Sequence, residues 1–251
     1  MDYSDDWSLP PQTIHLPGDE VHVWRVALDL KEAARERLLG TLSPDERSRA
    51  GRFRFQKDRD HFIAGRGTLR SILSLYLRAE PSRLSFRSTY YGKLYLDGEL
   101  ARSGIRFNLS HSHGLALYAV TSDREIGIDL EYIRSEVAAE QIAERFFSAR
   151  EVKKLRSLPE ASQAEAFFNC WTRKEAFIKA RGEGLSLPLE KFDVSLAPGE
   201  PAALLETRID DETASRWEIR DLPAGPAYKA ALAVEGRGWR LKCWQWLVDP
   251  G

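Results

Sequence analysis

The spacing of apolar positions switches between two periods along this chain, and the switches mark its elements. Residues 20–28 have strand composition. Residues 31–39 read as a short helix ended by Gly40. Ser43-Pro44-Asp45-Glu46 carries two helix-start signals, a capping box and a proline at the first helical position. Asp58 reads as the cap of a longer helix to about Arg78, because Phe62, Leu69, Leu73 and Leu77 recur at helical spacing; Pro81 closes it. The period then falls to two. Residues 84–91, 94–96, 105–109, 115–121 and 126–133 read as strands, with Gly92, Gly98 and Gly114 as turns. Helical spacing returns after two more capping boxes. One is Ser148-Ala149-Arg150-Glu151. The other, Ser162-Gln163-Ala164-Glu165, is expected to open a helix running to about Arg181 and ending at Gly182. Strand-like runs follow at 192–196, 217–222, 228–234 and 239–248.

The order repeats: short capped helix, long helix, strands. Ser43 and Ser148 are 105 residues apart, and Asp58 and Ser162 are 104 apart. The offset predicts an α+β fold of two similar lobes related by a pseudo-twofold, each with helices packed on a small, mostly antiparallel sheet. The expected division is an extended segment over 1–19, an N-terminal lobe over 20–125 and a C-terminal lobe over 126–251. The join would place Asp129 and Glu131 at the lobe boundary, where ligand clefts are common.

Composition adds limits. The 251 residues are 43% hydrophobic and 30% charged, with a formal net charge of −1. That suits a globular protein and gives no overall attraction to nucleic acid or membrane. Charge is uneven, however: between Glu46 and Arg70 stand eight basic residues (Arg47, Arg49, Arg52, Arg54, Lys57, Arg59, Arg66, Arg70) against three acidic ones. The stretch reads either as a solvated helix surface or as a contact for an anionic ligand or acidic partner. Cys170 and Cys243 have no metal-type spacing and read as two buried, reduced thiols. The acidic N-terminus has no signal-peptide pattern, and the longest apolar runs are too short to span a bilayer. A cytoplasmic monomer is expected.

Three segments place polar chemistry inside apolar runs, where it is costly unless compensated. In Gly127-Ile128-Asp129-Leu130-Glu131, both carboxylates share one strand face. They read as an exposed acidic strand end or as ligands for Mg²⁺, which binds carboxylates together with substrate phosphate oxygens. In Trp171-Thr172-Arg173-Lys174-Glu175-Ala176-Phe177-Ile178-Lys179, positions 171, 175 and 179 form one helix stripe. Glu175 and Lys179 could be a plain surface ion pair. The surrounding aromatic residues favour a metal–phosphate site instead. Third, Phe107-Asn108-Leu109-Ser110-His111-Ser112-His113-Gly114 reads as a strand running into a polar turn that could meet an anion.

Taken in order, Asn108-Leu109-Ser110-His111-Ser112, Gly127-Ile128-Asp129-Leu130-Glu131 and Trp171-x-x-Lys174-Glu175-Ala176-x-x-Lys179 closely resemble the 4′-phosphopantetheinyl transferases of the two-lobed, surfactin-synthetase-activating type. The resemblance spans residues 43–189 and includes Tyr91-Gly92-Lys93 and Gly184-Leu185-Ser186-Leu187-Pro188. It implies transfer of phosphopantetheine from coenzyme A to a serine of an acidic acyl, peptidyl or polyketide carrier protein, with Mg²⁺. By the same resemblance, Asp129, Glu131 and Glu175 would hold the metal, and Glu175 and Lys179 would be catalytic. Arg49, Arg66, Lys93, Ser110, His111, Lys174 and Lys179 would serve coenzyme A, with Arg49 and Arg66 near its 3′-phosphate. Glu46 stands where relatives often carry a basic residue for that phosphate. The serine would attack the β-phosphorus and 3′,5′-ADP would leave, with Glu175 or water taking the serine proton. A metal-dependent nuclease or phosphohydrolase and a non-catalytic carrier-binding module are the alternatives; Mg²⁺-dependent consumption of coenzyme A separates them.

Overall fold

The computed structural model describes residues 7–134, 139–209 and 213–247. The first half runs β1 (Glu20–Ala27), α1 (Glu32–Thr41), α2 (Pro44–Gly51), α3 (Gln56–Leu77), β2 (Phe86–Ser88), β3 (Leu94–Leu96), β4 (Ile105–Ser112) and β5 (Leu115–Ser122). The second runs β6 (Ile126–Tyr132), α4 (Ala139–Phe146), α5 (Ala149–Ser157), α6 (Glu160–Arg181), β7 (Phe192–Val194), β8 (Leu204–Thr207), α7 (Thr213–Arg216), β9 (Trp217–Asp221), β10 (Tyr228–Glu235) and β11 (Arg240–Gln245).

The repeat read from helix spacing is present in the topology. α3 and α6 are each 22 residues long. The capping boxes at Ser43 and Ser148 both form, each with its glutamate reaching back to the cap amide. Two main sheets have the orders β11-β1-β5-β4 and β6-β10-β9, and the hairpins β2–β3 and β7–β8 follow the two long helices. The run β1-β5-β4 thus corresponds to β6-β10-β9. This is the expected α+β fold with two similar lobes.

Alternate residues of β1 and β6 face opposite ways. Val21 and Val23 meet Ile126, Ile128 and Leu130 in a core between the two sheets. Trp24 and Val26 turn to the face covered by α3, while Ala231 and Ala233 of β10 pack under α6. The layers are therefore helix, sheet, sheet, helix.

Several boundaries differ from the sequence reading. α3 begins at Gln56 after an extended Phe55, so Asp58 sits in its first turn rather than at its cap. There its charge favours the helix N-terminus. α6 begins at Glu160 behind Pro159, which starts the helix before Ser162 can cap it. Ser162 instead donates its amide to the Pro159 carbonyl at 2.8 Å. The strand expected over 84–91 contracts to β2, because Thr89 to Lys93 close a turn, Thr89 N to Lys93 O being 2.8 Å. The last strand leaves its own half: β11 pairs in parallel with β1, Val21 opposite Leu241 and Trp24 opposite Trp244. A division at residue 125 is therefore crossed by the C-terminal strand. Cys170 is buried, Cys243 is only half-buried, and the two form no disulfide.

β4 and β6 run side by side without a backbone ladder. Asn108 Oδ1 accepts from Ile128 N at 3.0 Å, Ser110 Oγ from Leu130 N at 3.2 Å and Ser112 Oγ from Tyr132 N at 3.1 Å. The three side chains stand at alternate positions of β4, so one strand face supplies all of them. They satisfy the β6 amides while holding the strands apart, and the gap is where the site lies.

Candidate functional site

β6 and α6 meet at Gly127. A Cβ there would collide with the Ala176 carbonyl oxygen and the Ala180 amide, so only glycine lets the helix lie on the strand. From Thr172 to Ala180 every residue of α6 is buried except Glu175 and Lys179, which with Trp171 form the half-buried stripe. That stripe faces Asp129 and Glu131 on β6 and Ser110 and His111 on β4 across a cleft of about 360 Å³. The three segments singled out in the sequence therefore converge.

Asp129 is 3% exposed. Its Oδ1 receives Lys179 Nζ at 2.6 Å and Ser110 Oγ at 3.1 Å, while its Oδ2 is buried without a partner. Glu175 is pushed up to about 7, first by burial and then by the Asp129 charge, with Lys179 opposing and Glu131 adding. Glu131 is also raised, by burial first and by Asp129 next. Three carboxylates are thus crowded around one ammonium. Burial around its ring, followed by the charges of Lys179 and His61, lowers the pKa of His111, whose side chain still reaches solvent.

Some expected residues stand differently from the sequence reading. Ser110 belongs to a strand, not to a turn. Its hydroxyl is already used by Leu130 N, Asp129 and Lys179. Lys174 is fully buried elsewhere. Its Nζ donates to the carbonyls of Leu189 and Phe192 at 2.7 and 2.5 Å and pairs with Glu151 at 2.8 Å. Adjacent positions on a helix point about 100° apart, so Lys174 cannot share the Glu175 face. The Lys93 side chain is also buried, against Glu125 and the Ala180 carbonyl.

Arg49 and Arg66 stand in a separate groove of about 470 Å³ with Arg52, Arg70 and Glu46. Arg66 Nη1 is buried there without a partner. Glu46 has two tasks. It closes the Ser43 capping box, and it pairs with Arg70 at 2.6 Å and Arg66 at 3.5 Å. Arg70 also donates to the carbonyls of Pro81 and Leu84 at 2.7 and 2.9 Å. The second lobe repeats the device with Glu151 and Lys174. A basic residue at position 46 would lose the cap and repel both arginines. Arg52 and Arg70 were within the basic stretch but not singled out; the i, i+4 spacing of Arg66 and Arg70 was the available signal.

The protein is thus a duplicated α+β fold with an acidic, lysine-bearing cleft and a separate arginine groove. Residues 125–233 match the family model described as the 4′-phosphopantetheinyl transferase superfamily, and residues 31–123 match that of the 4′-phosphopantetheinyl transferase N-terminal region. The chain is 45% identical over 240 residues to the 4′-phosphopantetheinyl transferase HetI of Nostoc sp., covering 96% of this chain and 98% of that protein. It is 34% identical over 205 residues to the 4′-phosphopantetheinyl transferase Sfp of Bacillus subtilis, covering 82% and 87%. The crystal structure of Thermotoga maritima holo-[acyl-carrier-protein] synthase matches 45% of this chain and 63% of that one, with 23% identity and a TM-score of 0.36. The chain belongs to the 4′-phosphopantetheinyl transferase superfamily, and the enzyme it forms transfers phosphopantetheine to carrier proteins.

Proposed function

We propose that the enzyme takes its phosphopantetheine from coenzyme A, attaches it to a serine of an apo acyl, peptidyl or polyketide carrier domain, and releases 3′,5′-ADP in an Mg²⁺-dependent reaction. The observation that carries this reading is the half-buried Trp171–Glu175–Lys179 stripe opposing Asp129 and Glu131 in one cleft.

Among the described residues no group of three acidic, histidine or cysteine side chains stands ready to enclose a metal ion. The donor chemistry nonetheless fits a hard cation. Asp129 Oδ2 lacks a partner, and burial followed by the Asp129 charge raises the pKa of Glu131 and of Glu175, so a cation among them would relieve the crowding. Asp129, Glu131 and Glu175 would hold Mg²⁺, which when bound would neutralise pyrophosphate charge and the charge that develops in the transition state.

The chain's own groups have distinct tasks. Lys179 now serves as the cation at Asp129, and in the reaction its ammonium would stabilise negative charge on the transferred phosphate. Glu175, on the same cleft, would take the serine proton, directly or through water. His111, on the same cleft, would donate a hydrogen bond to a phosphate oxygen. Arg49 and Arg66 would receive the 3′-phosphate, and the unpartnered Arg66 Nη1 supports that role. All these groups come from one chain, which is consistent with an active monomer. Among the described residues no helix is long and apolar enough to cross a membrane. The reading implies a cytoplasmic setting with carrier domains, not nucleic acid or lipid, as partners.

The direct test incubates the protein with coenzyme A, Mg²⁺ and a panel of apo carrier domains and reads the phosphopantetheine mass gain. The gain should require Mg²⁺ and coenzyme A. A carrier mass gain that persists undiminished with a chelator present would overturn the metal assignment.

A further inference from the structure

The family resemblance assigns Lys93 to coenzyme A, but its side chain turns inward. The residue is 8% exposed, and its Nζ lies 2.6 Å from both Glu125 Oε2 and the Ala180 carbonyl oxygen. These partners belong to the two elements that build the acidic cleft. Glu125 immediately precedes β6, which carries Asp129 and Glu131. Ala180 directly follows Lys179 on α6.

The surroundings make this contact a junction. Glu125 also receives the Tyr95 hydroxyl at 3.1 Å and pairs with Arg106 at 3.5 Å. One carboxylate at the head of β6 therefore gathers donors from β3, from β4 and from the turn before β3. On the opposite side, Gly127 is pressed against the α6 backbone at Ala176 and Ala180. Beyond Ala180 the helix ends at Gly182, with φ of 73°. A methyl group added at Gly182 would stand 3.2 Å from Lys93 Cδ. The last turn of α6 is thus gripped between β6 and the Lys93 side chain. The preceding turns are fixed by their own packing through Phe167, Phe177 and Ile178. Losing the Lys93 grip would loosen the end that carries Lys179 and leave the rest of the helix in place.

We propose that Lys93 is a positioning residue: its ammonium, held between Glu125 and the Ala180 carbonyl, fixes the last turn of α6 against β6 and so sets Lys179 relative to Asp129. The role rests on the assignment of transfer chemistry to the cleft. It differs from a ligand contact because the Nζ is already held by Glu125 and the Ala180 carbonyl in a buried position.

The test uses the full chain with Lys93→Met, Glu125→Gln and both together. Two readouts are needed: steady-state kinetics with coenzyme A, Mg²⁺ and an apo carrier, and amide hydrogen exchange along α6 without coenzyme A. Lys93→Met should lower kcat about tenfold while the KM for coenzyme A changes by less than about twofold. Glu125→Gln should move kcat in the same direction, and the double variant should be no worse than the poorer single one, since both act through one junction. Exchange should accelerate at residues 179–182 and stay unchanged over 167–177. Lys93→Gln, which keeps a donor for the Ala180 carbonyl, should recover part of kcat; it and Glu125→Gln carry the test if Lys93→Met fails to fold. A rise of about tenfold in KM at unchanged kcat and unchanged exchange would make Lys93 a direct ligand contact and end the proposal. Faster exchange along all of α6 would make it a general stability element and end it equally. Exchange is read without substrate, so a protein that transfers nothing would refute the assigned chemistry while leaving this junction testable.

Discussion

At the residue scale, neighbouring charges in one motif have opposite tasks. Glu175 faces the cleft, where we propose it acts in transfer, and Lys174 holds the lobe together. Glu175→Gln should reduce transfer by about 10²–10³-fold with the fold intact, measured as the rate of carrier mass gain. Its pH signature follows from the shift from 4.5 to about 7 on folding. Between those values the folded chain holds a proton that the unfolded chain has released. Stability from this group is therefore present at low pH and is lost as pH rises through about 7. In chelator, Glu175→Gln should melt higher than the unsubstituted protein at about pH 8, and the gap should close at about pH 4.5. Lys174→Met should act differently. It would leave the Glu151 carboxylate buried without its ion-pair partner, at a cost of about 3–5 kcal/mol in denaturant unfolding. The sequence places both residues in one turn, about 100° apart around the helix; it could not show which surroundings each would meet.

At the element scale, α6 shapes the candidate site, because from Thr172 to Ala180 only Glu175 and Lys179 stand outside the core. Its close approach to β6 depends on Gly127, where any side chain meets backbone that cannot move aside. Gly127→Ala should destabilise the fold by at least about 1–3 kcal/mol. It should also depress transfer by lifting Glu175 and Lys179 away from Asp129; parallel unfolding and rate measurements check both. The capping boxes are separate from this contact. Ser43→Ala and Ser148→Ala should each cost about 1 kcal/mol by thermal or denaturant unfolding. Ser148 is the more sensitive position of the two, because it and its Glu151 partner are buried whereas Ser43 and Glu46 are half-buried. Both boxes were legible from four residues, since every contact in a capping box is local. The supposed box at Ser162 failed because Pro159 had already started the helix.

At the scale of the whole molecule, the two lobes have used the same plan for different ends. The outer edge of β1 is closed by β11 through a parallel backbone ladder. The corresponding edge of β6 is met by β4 through the side chains of Asn108, Ser110 and Ser112. A full ladder would hold neighbouring strands about 4.8 Å apart and leave no cleft. The register β1–β5 and β6–β10 places Trp24 in the first sheet where Asp129 stands in the second. Trp24 is wrapped there by Tyr76, Trp244 and Trp246. The first lobe's copy of the cleft is thus filled with aromatic rings. Removing residues 240–251 should expose the β1 edge and this cluster. We expect loss of near-ultraviolet aromatic dichroism and a fall in the unfolding midpoint, both read by circular dichroism.

The chain by itself determined the two helix starts at Ser43 and Ser148, the duplicated order of elements and the ordered motifs of the family. Those features are local in sequence or repeat at a fixed offset, so linear spacing carries them. It also determined that Glu175 and Lys179 share a helix face with Trp171. Only the tertiary structure decided that Ser110 stitches β4 to β6, that Lys174 and Lys93 turn into the protein, that Glu46 holds arginines in place, and that the C-terminal strand returns to the first sheet. Each of these depends on which group a long side chain or a free strand edge finds across more than a dozen intervening residues. A lysine has the same hydrophobic stem and the same charge whether it meets a phosphate, a carboxylate or a helix carbonyl; packing alone selects among them.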